Sequence, residues 1–350
     1  IWSKSCIGVA LLIVDKMPEL PEVETSRRII DKYCKGRTIL EVVSKECGGG
    51  PRTGKFDNKV IAEGIKENQL GAALAGRKLL RARRRGKQLW CEFDKKGPSL
   101  LIHLGMTGAI HVKGGEQVTY KRLKHEQHVW PPRFTKLLIR FSGGKEFAFS
   151  DPRRFGKVVL RDRPESQKPI CTLAADPVTD PLPLSSFACG LAASKLPVKA
   201  LLLNQERVVS GVGNWVADEV LYQAKIHPAK AACELSEKEV KTLHIMLLSV
   251  CRKACAVSAD HTRFPKNWLF HYRWGKGRSA SEMAEENGSV AKAGVAALPD
   301  GKKIHFTEVG GRTTAFVPAV QGQTPSSPNA AKRKLQSTSK QLAGKRQRAK

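Results

Sequence analysis

Near its beginning the chain repeats apolar residues with the period of an α-helix. The apolar face of this predicted helix consists of Val23, Ile29, Ile30 and Tyr33. Gly36 is placed to end the helix, because glycine readily takes the left-handed backbone conformation that closes many helices. After Gly36 the pattern changes to short apolar runs, which are typical of β-strands and continue to about residue 162.

The strand-like region contains one clear hairpin signal. Leu137–Phe141 and Glu146–Phe149 flank Ser142–Lys145, a polar segment whose two glycines favour a tight turn. The other strand-like runs are Leu79–Asp94, Leu100–Lys113 and Val158–Arg161. We infer a two-layer β-sandwich with the N-terminal helix packed against it.

The second half of the chain changes to helical periodicity. Five prolines between residues 163 and 186 predict an interdomain linker, and helical spacing then runs from Leu196 to about Ser258. Within this stretch Gly211–Asn214 turns the chain into a predicted helix at Trp215–Ala224. Ser236–Glu239 has the pattern of a capping box for the next helix. The predicted fold class is therefore α+β.

The last part of the chain is predicted to hold a mobile insertion, a small hairpin and a basic tail. Residues 275–300 are rich in Gly, Ala and Ser, and Lys302–Phe306 pairs with Thr313–Val317 around Val309–Arg312. Beyond Pro318 the composition is typical of disorder. The predicted boundaries are a leader or upstream artefact at 1–16, a sandwich domain at 17–162, a linker at 163–186, a helical domain at 187–274, the insertion and hairpin at 275–318 and the tail at 319–350.

The chain is strongly basic, with 61 Lys and Arg against 32 Asp and Glu and a formal charge of +29. Thr324–Lys350 contributes eight of these charges, so 21 belong to the rest of the protein. The cluster Arg81–Lys87 favours a polyanionic partner over general basicity. The apolar run Ile7–Val14 is too short to cross a bilayer, so no membrane partner is expected.

The most reactive arrangement in the sequence is Met17-Pro18-Glu19. If Met17 is removed, the nitrogen of Pro18 becomes a secondary α-amine with a pKa of ~8, which is partly unprotonated at neutral pH. Such an amine condenses with an aldehyde carbon to give a cationic iminium, and Glu19 can move protons at that carbon. The alternative is an ordinary helix start, since proline and acidic residues are favoured in the first turn.

A series of motifs in order along residues 17 to about 318 resembles the formamidopyrimidine-DNA glycosylase family. They are Met17–Glu24, Arg85–Lys87, His103–Gly108, Asp151–Gly156, Gly211–Asn214 and Gly310–Thr314. The resemblance implies a catalytic β-sandwich domain, a helix-two-turn-helix DNA-binding domain and a β-hairpin finger. It also implies a bifunctional DNA glycosylase/AP lyase of base excision repair, which excises oxidised purines and cuts the strand by β,δ-elimination.

The expected partner is double-stranded DNA that contains oxidised bases or abasic sites, bound by a monomer in the nucleus, with organellar targeting left open. The catalytic residues implied by the resemblance are Pro18 as nucleophile, Glu19 as proton shuttle, Glu22 and Lys87. Glu22 has an equally strong structural alternative, which is stabilisation of the helix N-terminus.

Four residues match positions at which the family contacts the DNA backbone. Lys87 and Arg312 offer cationic side chains to phosphate oxygens. Asn214 lies where backbone N–H groups at a helix start can bind a phosphate, although an ordinary N-cap would also use asparagine. Lys199 is a further, weaker candidate for a backbone contact.

Three other residues match the family triad that fills the gap left by an extruded base: Met106, Arg153 and Phe155. An enzyme that modifies a base must remove it from the stack, and an apolar wedge with an arginine can occupy the gap and meet the orphaned base. The alternative is that Met106 and Phe155 belong to the protein core.

The resemblance also bears on metals. Most relatives pin the finger hairpin with four zinc-binding cysteines, but no cysteine follows Cys255 in this sequence. The chain therefore resembles the zincless-finger branch that is common among plant members. We expect no metal site, no zinc and no organic cofactor, because the amine itself accepts the electrons.

Two alternative functions remain open at this point. One is an endonuclease VIII-like glycosylase for oxidised pyrimidines, and the other is a DNA-binding protein without lyase activity if Pro18 stays internal. The short connection Val257–Pro265 leaves little chain for a lid over 8-oxoguanine. Formamidopyrimidines, further-oxidised guanine products and abasic sites are therefore expected to react faster than 8-oxoguanine.

Overall fold

The computed structural model describes residues 17–116, 129–274 and 296–322. The leader predicted at 1–16, residues 275–295 of the insertion predicted at 275–300, and residues 323–350 of the predicted tail lie outside the described residues. In the described part, an antiparallel β-sandwich is followed by helices and a two-stranded hairpin, which confirms the α+β fold class. None of the helices described is long and apolar enough to span a membrane.

Eight strands form the sandwich: β1 Ile39–Val43, β2 Leu79–Arg85, β3 Gln88–Phe93, β4 Ser99–His103, β5 Ala109–Val112, β6 Thr135–Phe141, β7 Glu146–Ser150 and β8 Lys157–Arg161. They make two four-stranded antiparallel sheets, with strand orders β1-β6-β7-β5 and β2-β3-β4-β8. Most of their buried apolar side chains form one cluster with Val23, Ile29 and Ile30 of helix α1 (Leu20–Cys34). The apolar face of α1 therefore packs on the sandwich, as its periodicity predicts.

Two predicted turns are present in this half of the molecule. Helix α1 ends before Gly36, which has a φ of 78°. The hairpin between β6 and β7 turns through a 3₁₀ segment at Ser142–Gly144, where Gly143 has a φ of 72°. Both glycines take backbone angles that other residues adopt only at a steric cost.

The second half is helical, but it begins earlier than the predicted linker suggests. The linker contains 3₁₀ turns at Pro164–Ser166 and Ile170–Thr172, and a helix starts at Leu184. Helix α2 (Gln69–Leu74) lies in the first half, between β1 and β2. The helices of the second half are α3 Leu184–Ala192, α4 Val198–Leu203, α5 Asn214–Gln223 and α6 Glu237–Ala256. The predicted capping box is present, since Ser236 N–H donates to Glu239 Oε2 at 2.8 Å and Glu239 N–H donates to Ser236 Oγ at 3.3 Å.

The C-terminal hairpin pairs β9 (His305–Val309) with β10 (Arg312–Phe316), and two glycines form its tip, as predicted. A short helix α7 (Pro318–Gln321) follows. Gln321 is buried, donates to the Ile226 carbonyl at 2.9 Å and accepts from the Val317 N–H at 2.8 Å. These bonds hold residues 319–321 on the helical half, so the prediction that the disordered tail starts at 319 is wrong.

A buried ionic cluster joins the sandwich to the segment that leads into the helices. The guanidinium of Arg84, in β2, contacts Glu24 of α1 at 3.1 Å and both carboxylate oxygens of Asp176. Asp176 also accepts from the backbone N–H groups of Gly86 at 2.8 Å and Val178 at 2.9 Å. Loss of one partner would leave an uncompensated buried charge, so this cluster strongly favours one position of the β2–β3 turn relative to the linker.

Candidate active site

The N-terminus of α1 lies at the junction of the two halves, and Pro18 and Glu19 are both buried there. The carboxylate of Glu19 crosses the junction to the start of helix α5. It accepts hydrogen bonds from the backbone N–H groups of Gly213 at 2.9 Å, Trp215 at 2.8 Å and Val216 at 3.0 Å. A helix N-terminus has unpaired N–H donors and a partial positive charge, so it is a favourable place for a carboxylate.

Two glycines make this approach possible. A Cβ atom on Gly213 would lie 2.2 Å from the carboxyl carbon of Glu19, and a Cβ on Gly211 would lie 2.6 Å from a methyl carbon of Leu20. The Leu20 N–H donates to the Gly211 carbonyl at 3.1 Å, which brings the two backbones together. The Gly-x-Gly pattern before α5 therefore serves close packing against α1 as much as turn formation.

A second carboxyl group lies beside Glu19. Glu22 Oε2 accepts from the Glu19 N–H at 3.0 Å, and Glu22 Oε1 accepts from the indole N–H of Trp215 at 3.2 Å. Burial and then the charge of Glu19 raise the pKa of Glu22 to about 8. Burial also raises the pKa of Glu19, but Lys87 and two of its N–H donors oppose that change. At neutral pH the pair therefore keeps a proton, and Glu22 is the better place for it.

Lys87 approaches this acidic pair from the turn between β2 and β3. Gly86, which precedes it, has a φ of 56° and is held by its N–H bond to Asp176. Burial lowers the pKa of Lys87, Glu19 opposes that change, and Arg312 adds to it. Lys87 has no hydrogen bond or ion pair with any residue that the structure describes. A partly dehydrated cation beside a second cation is suited to bind an anionic oxygen.

Asn214 and Arg312 lie on either side of the contact between α5 and the hairpin. The Asn214 amide donates to the Thr313 carbonyl at 2.9 Å, and its Oδ1 atom is buried without a donor in the described part of the chain. Arg312 is partly exposed, and its guanidinium forms no ion pair with a described residue. Helix α5 thus supports the strand that carries Arg312. Lys87 of the sandwich lies close enough to Arg312 for the two positive charges to interact.

Lys199 does not have the exposure that a contact with the DNA backbone requires. Its side chain is fully buried, and its ammonium lies 2.6 Å from Asp218 Oδ1 and donates to Thr314 Oγ1 at 2.7 Å. Asp218 also pairs with Arg273 at 2.7 Å and accepts from the Ala315 N–H at 3.0 Å. This buried cluster ties the hairpin to helices α4 and α5, so Lys199 positions the hairpin.

The three predicted gap-filling residues lie on two adjacent loops of the sandwich. A Cβ on Gly105 would lie 2.4 Å from the backbone of Phe155, so the loop of Met106 touches the loop of Arg153. Phe155 is 45% exposed, and the Arg153 guanidinium lies 5.0 Å from its ring centre. Met106 is partly exposed. Phe155 is therefore not part of the protein core, and its ring remains available for an external partner.

Asp151 holds these two loops together from the buried side. Its Oδ1 accepts from the hydroxyl of Thr107 at 2.7 Å and from the Arg153 N–H at 3.2 Å, and its Oδ2 accepts from the Gly156 N–H at 2.7 Å. Asp151 belongs to the motif that was singled out from the sequence, but its own role was not predicted. A buried carboxylate that binds backbone N–H groups can be recognised only once both loops are placed.

His103, at the end of β4, is a further residue of this site that sequence reasoning did not assign. Burial and the positive charge of Lys87 lower the pKa of His103 to about 4, so its ring is neutral at physiological pH. Its Nδ1 accepts from the Gly105 N–H at 3.1 Å. The other ring nitrogen is then the one that carries the proton and can donate a hydrogen bond. Its position at the head of the His103–Gly108 motif was the available signal.

Across residues 17–116, 129–274 and 296–322, no group of three or more His, Cys, Asp or Glu side chains is placed to hold a metal ion.

Comparisons with known proteins identify both halves of the chain. Residues 17–158 match a family described as formamidopyrimidine-DNA glycosylase N-terminal domain, and residues 173–266 match one described as formamidopyrimidine-DNA glycosylase H2TH domain. A formamidopyrimidine-DNA glycosylase of Arabidopsis thaliana is 40% identical over 306 residues, which cover 87% of this chain and 71% of the relative. The Thermus thermophilus protein of the same name is 30% identical over 311 residues, covering 88% and 100%.

Solved structures agree with these matches. The crystal structure of MutM (Fpg) from Thermus thermophilus has a TM-score of 0.62 and 27% identity, and the match covers 88% of this chain and all of that one. A complex between Lactococcus lactis Fpg and DNA with an abasic site has a TM-score of 0.63 and 26% identity, covering 87% and 100%.

The raised pKa of Glu22 gives a prediction for stability. A carboxyl whose pKa is about 8 in the folded state and 4.5 otherwise favours folding in its protonated form. This contribution is complete below the unfolded pKa of 4.5 and is lost progressively as the pH rises to about 8. Glu22→Gln cannot ionise. We expect its free energy of unfolding to fall less than that of the wild type between pH 5 and 8.5, by about 4 kcal/mol, since each pKa unit corresponds to about 1.4 kcal/mol.

Urea unfolding at several pH values measures this difference. Glu63→Gln, which removes an exposed carboxylate from the same domain, is the matched control and should follow the wild-type pH dependence. Parallel pH curves for wild type and Glu22→Gln would show that Glu22 is ionised in the folded protein.

Proposed function

The chain belongs to the formamidopyrimidine-DNA glycosylase family, and we propose that it excises oxidised purines from double-stranded DNA and then cleaves the strand through a Schiff base on Pro18. The observation that carries this proposal is the position of Glu19. Its buried carboxylate is fixed by three backbone N–H groups directly beside Pro18, with a second carboxyl group, Glu22, at hand.

The proposed reaction begins when the secondary amine of Pro18 attacks C1′ of the extruded nucleotide. The bond from C1′ to the base breaks, and the base leaves with the electron pair and gains a proton. The C1′–O4′ bond then opens, O4′ gains a proton, and the iminium formed between C1′ and the Pro18 nitrogen acidifies the C2′ proton. Removal of that proton by a carboxylate breaks the C3′–O bond, and the 3′ phosphate leaves. A second elimination breaks the C5′–O bond and leaves a one-nucleotide gap. The nitrogen of Pro18 must be free for this, since it is an amide while Met17 is attached.

The remaining residues would bind and shape the DNA. Lys87, Arg312 and the neutral ring of His103 would hold phosphates next to the extruded nucleotide, with Asn214 at the start of α5. Met106, Arg153 and Phe155 would fill the gap in the stack. DNA bound to the Lactococcus lactis relatives contained abasic sites or formamidopyrimidine-guanine, which agrees with this class of substrate.

Formamidopyrimidines, further-oxidised guanine products and abasic sites are proposed as better substrates than 8-oxoguanine. Helix α6 ends at Ala256 and only a 3₁₀ turn at His261–Arg263 follows before Phe264 is buried again. This connection is short for a lid that must read a few polar atoms of 8-oxoguanine. Nuclear localisation is part of the same proposal, supported by the acid-free basic segment Thr324–Lys350.

Pro18 and Glu19 variants test the proposed chemistry in protein whose N-terminus is residue 18. Pro18→Gly should lose most strand cleavage at abasic sites, and Glu19→Gln should reduce base excision by about a hundredfold or more, because it cannot transfer the proton. Binding to DNA with a stable abasic analogue should change little in both. Rates come from single-turnover gels, and thermal unfolding checks that the amide introduced by Glu19→Gln is tolerated against the α5 N–H groups.

Glu63→Gln provides the control for loss of a carboxylate elsewhere in the domain. Wild-type binding without cleavage would instead favour a DNA-binding protein that lacks lyase activity. Equal loss of binding and excision in Glu19→Gln would make Glu19 a structural residue only.

Phosphate contacts by Lys87 and Arg312 predict a change in salt dependence. Lys87→Ala and Arg312→Ala should each weaken DNA binding for all sequences and reduce the slope of log K against log salt by about one unit. Fluorescence anisotropy at several salt concentrations measures this slope. Lys96→Ala is the control, since Lys96 is exposed beyond the opposite end of β3. An unchanged slope in both variants would place these two residues outside the interface.

We also propose that the finger hairpin works without zinc. The buried ion pairs of Asp218 with Lys199 and Arg273, and its bond to the Ala315 N–H, supply an anchor for the strand that carries Arg312. Exhaustive chelation should therefore leave DNA cleavage unchanged, and elemental analysis should detect no stoichiometric zinc. One zinc per chain, together with loss of activity on chelation, would contradict this proposal.

A further inference from the structure

A buried aspartate outside the recognised motifs contacts the loop of Arg153 and Phe155. Asp57 is fully buried, and its two carboxylate oxygens accept from Arg154: Nε donates to Oδ2 at 2.7 Å and Nη2 donates to Oδ1 at 2.8 Å. Such a bidentate pair fixes both the position and the plane of the guanidinium. Nothing in the sequence motifs points to Asp57, which lies 97 residues away from Arg154.

Arg154 occupies the centre of the loop, between Arg153 and Phe155. Its φ of 59° is in the left-handed region, which costs free energy for a residue other than glycine. The bond to Asp57 stabilises this backbone conformation from one side. On the other side Asp151 binds the N–H groups of Arg153 and Gly156, so the loop is held at both ends and at its middle.

Asp57 itself is anchored in the sandwich. Its Oδ2 lies 3.3 Å from the ammonium of Lys136, which is also buried and pairs with Glu46. The Asp57 carbonyl accepts from the Ile61 N–H at 2.8 Å, and the adjacent Val60 carbonyl accepts from Val158 N–H at 2.8 Å, in strand β8. The aspartate and the strand that follows the loop therefore belong to one rigid unit.

The segment that contains Asp57 also contacts the exposed ring of Phe155. The Lys59 ammonium lies 5.4 Å from the centre of the Phe155 ring, and the Lys59 carbonyl accepts from Lys157 Nζ at 2.6 Å. The exposed ring of Phe155 is thus flanked by Lys59 and by Arg153 at 5.0 Å. An exposed aromatic ring between two cations is held ready for insertion before any DNA is present.

We propose that Asp57 is a positioning residue for gap filling: through Arg154 it presets the loop that inserts Arg153 and Phe155 into the DNA stack. This inference rests on the proposed function of the same loop. A preset loop avoids the loss of conformational entropy that ordering would cost during base extrusion, which favours the extruded state. Arg154 then acts within the protein, whereas Lys87 and Arg312 act on phosphates.

The test uses protein with Pro18 at its N-terminus and a duplex in which 2-aminopurine lies opposite a stable abasic analogue. Insertion of Arg153 and Phe155 beside the orphaned 2-aminopurine changes its fluorescence when wild-type protein binds. Asp57→Asn has nearly the same size but weakens the pair, and we expect the fluorescence change at saturating protein to fall by about fivefold. Glu63→Gln, the control for an exposed carboxylate paired with an arginine, should give the wild-type signal.

Arg154→Met removes the same ion pair from the exposed side and leaves Asp57 paired with Lys136, so this variant tests the inference even if Asp57→Asn is poorly folded. Arg154→Met should lose the 2-aminopurine fluorescence change to the same extent as Asp57→Asn. The variant that carries both substitutions should lose no more than either single variant. The salt slope of binding should stay at the wild-type value in Arg154→Met. A full signal in Arg154→Met, additive losses, or a salt slope reduced by about one unit would overturn the proposal.

Cleavage of abasic DNA separates this inference from the proposed function. If wild-type protein fails to cleave, the proposed function fails, whatever the fluorescence shows. If wild type cleaves and both variants keep the full fluorescence change, only the role of Asp57 is refuted. Loss of the fluorescence change in both variants, with near-normal cleavage of a substrate that has no base opposite the abasic site, supports the positioning role.

Discussion

The contact between the Glu19 carboxylate and the N-terminus of helix α5 is the constraint on which the rest of the site depends. A buried carboxylate is costly unless it is fully hydrogen-bonded, and three backbone N–H groups at a positive helix end meet that requirement. The contact also joins the sandwich to the helical half, because Glu19 belongs to one and α5 to the other. Gly211 and Gly213 are needed for this approach, and Pro18 is carried with it to the junction.

The same physical device recurs around the site, since buried carboxylates hold the segments that carry exposed or partly exposed functional groups. Asp176 fixes the turn before Lys87, Asp218 anchors the strand of Arg312, and Asp151 binds the loop of Arg153. In each case the acid accepts hydrogen bonds from backbone N–H groups and, for Asp176 and Asp218, also pairs with a buried arginine. Lys87, Arg312 and Arg153 are therefore not neutralised by the acids that position them, so they keep their attraction for an anionic partner.

Features that depend on neighbours in sequence could be predicted from the sequence, whereas long-range pairs could not. The periodicity of α1, the capping box at Ser236 and the glycines of the β6–β7 turn are local signals, and each was predicted correctly. The prediction that Lys199 contacts DNA is wrong, because its burial depends on Asp218 and on a hairpin more than a hundred residues away. Asp57 gave no signal for the same reason. Pro18 and Glu19 were recognisable from their own chemistry, whereas the other motif residues of the site were recognisable only through resemblance to a family.

The central claim is that the nitrogen of Pro18, placed beside Glu19 by the junction, forms the covalent bond to C1′ of the DNA. Its most direct test is to reduce the complex with abasic DNA by borohydride, digest it with a protease and locate the sugar adduct by mass spectrometry. The account predicts that the adduct lies on the α-nitrogen of Pro18 in the N-terminal peptide. An adduct on a lysine, such as Lys87 next to the acidic pair, would contradict it.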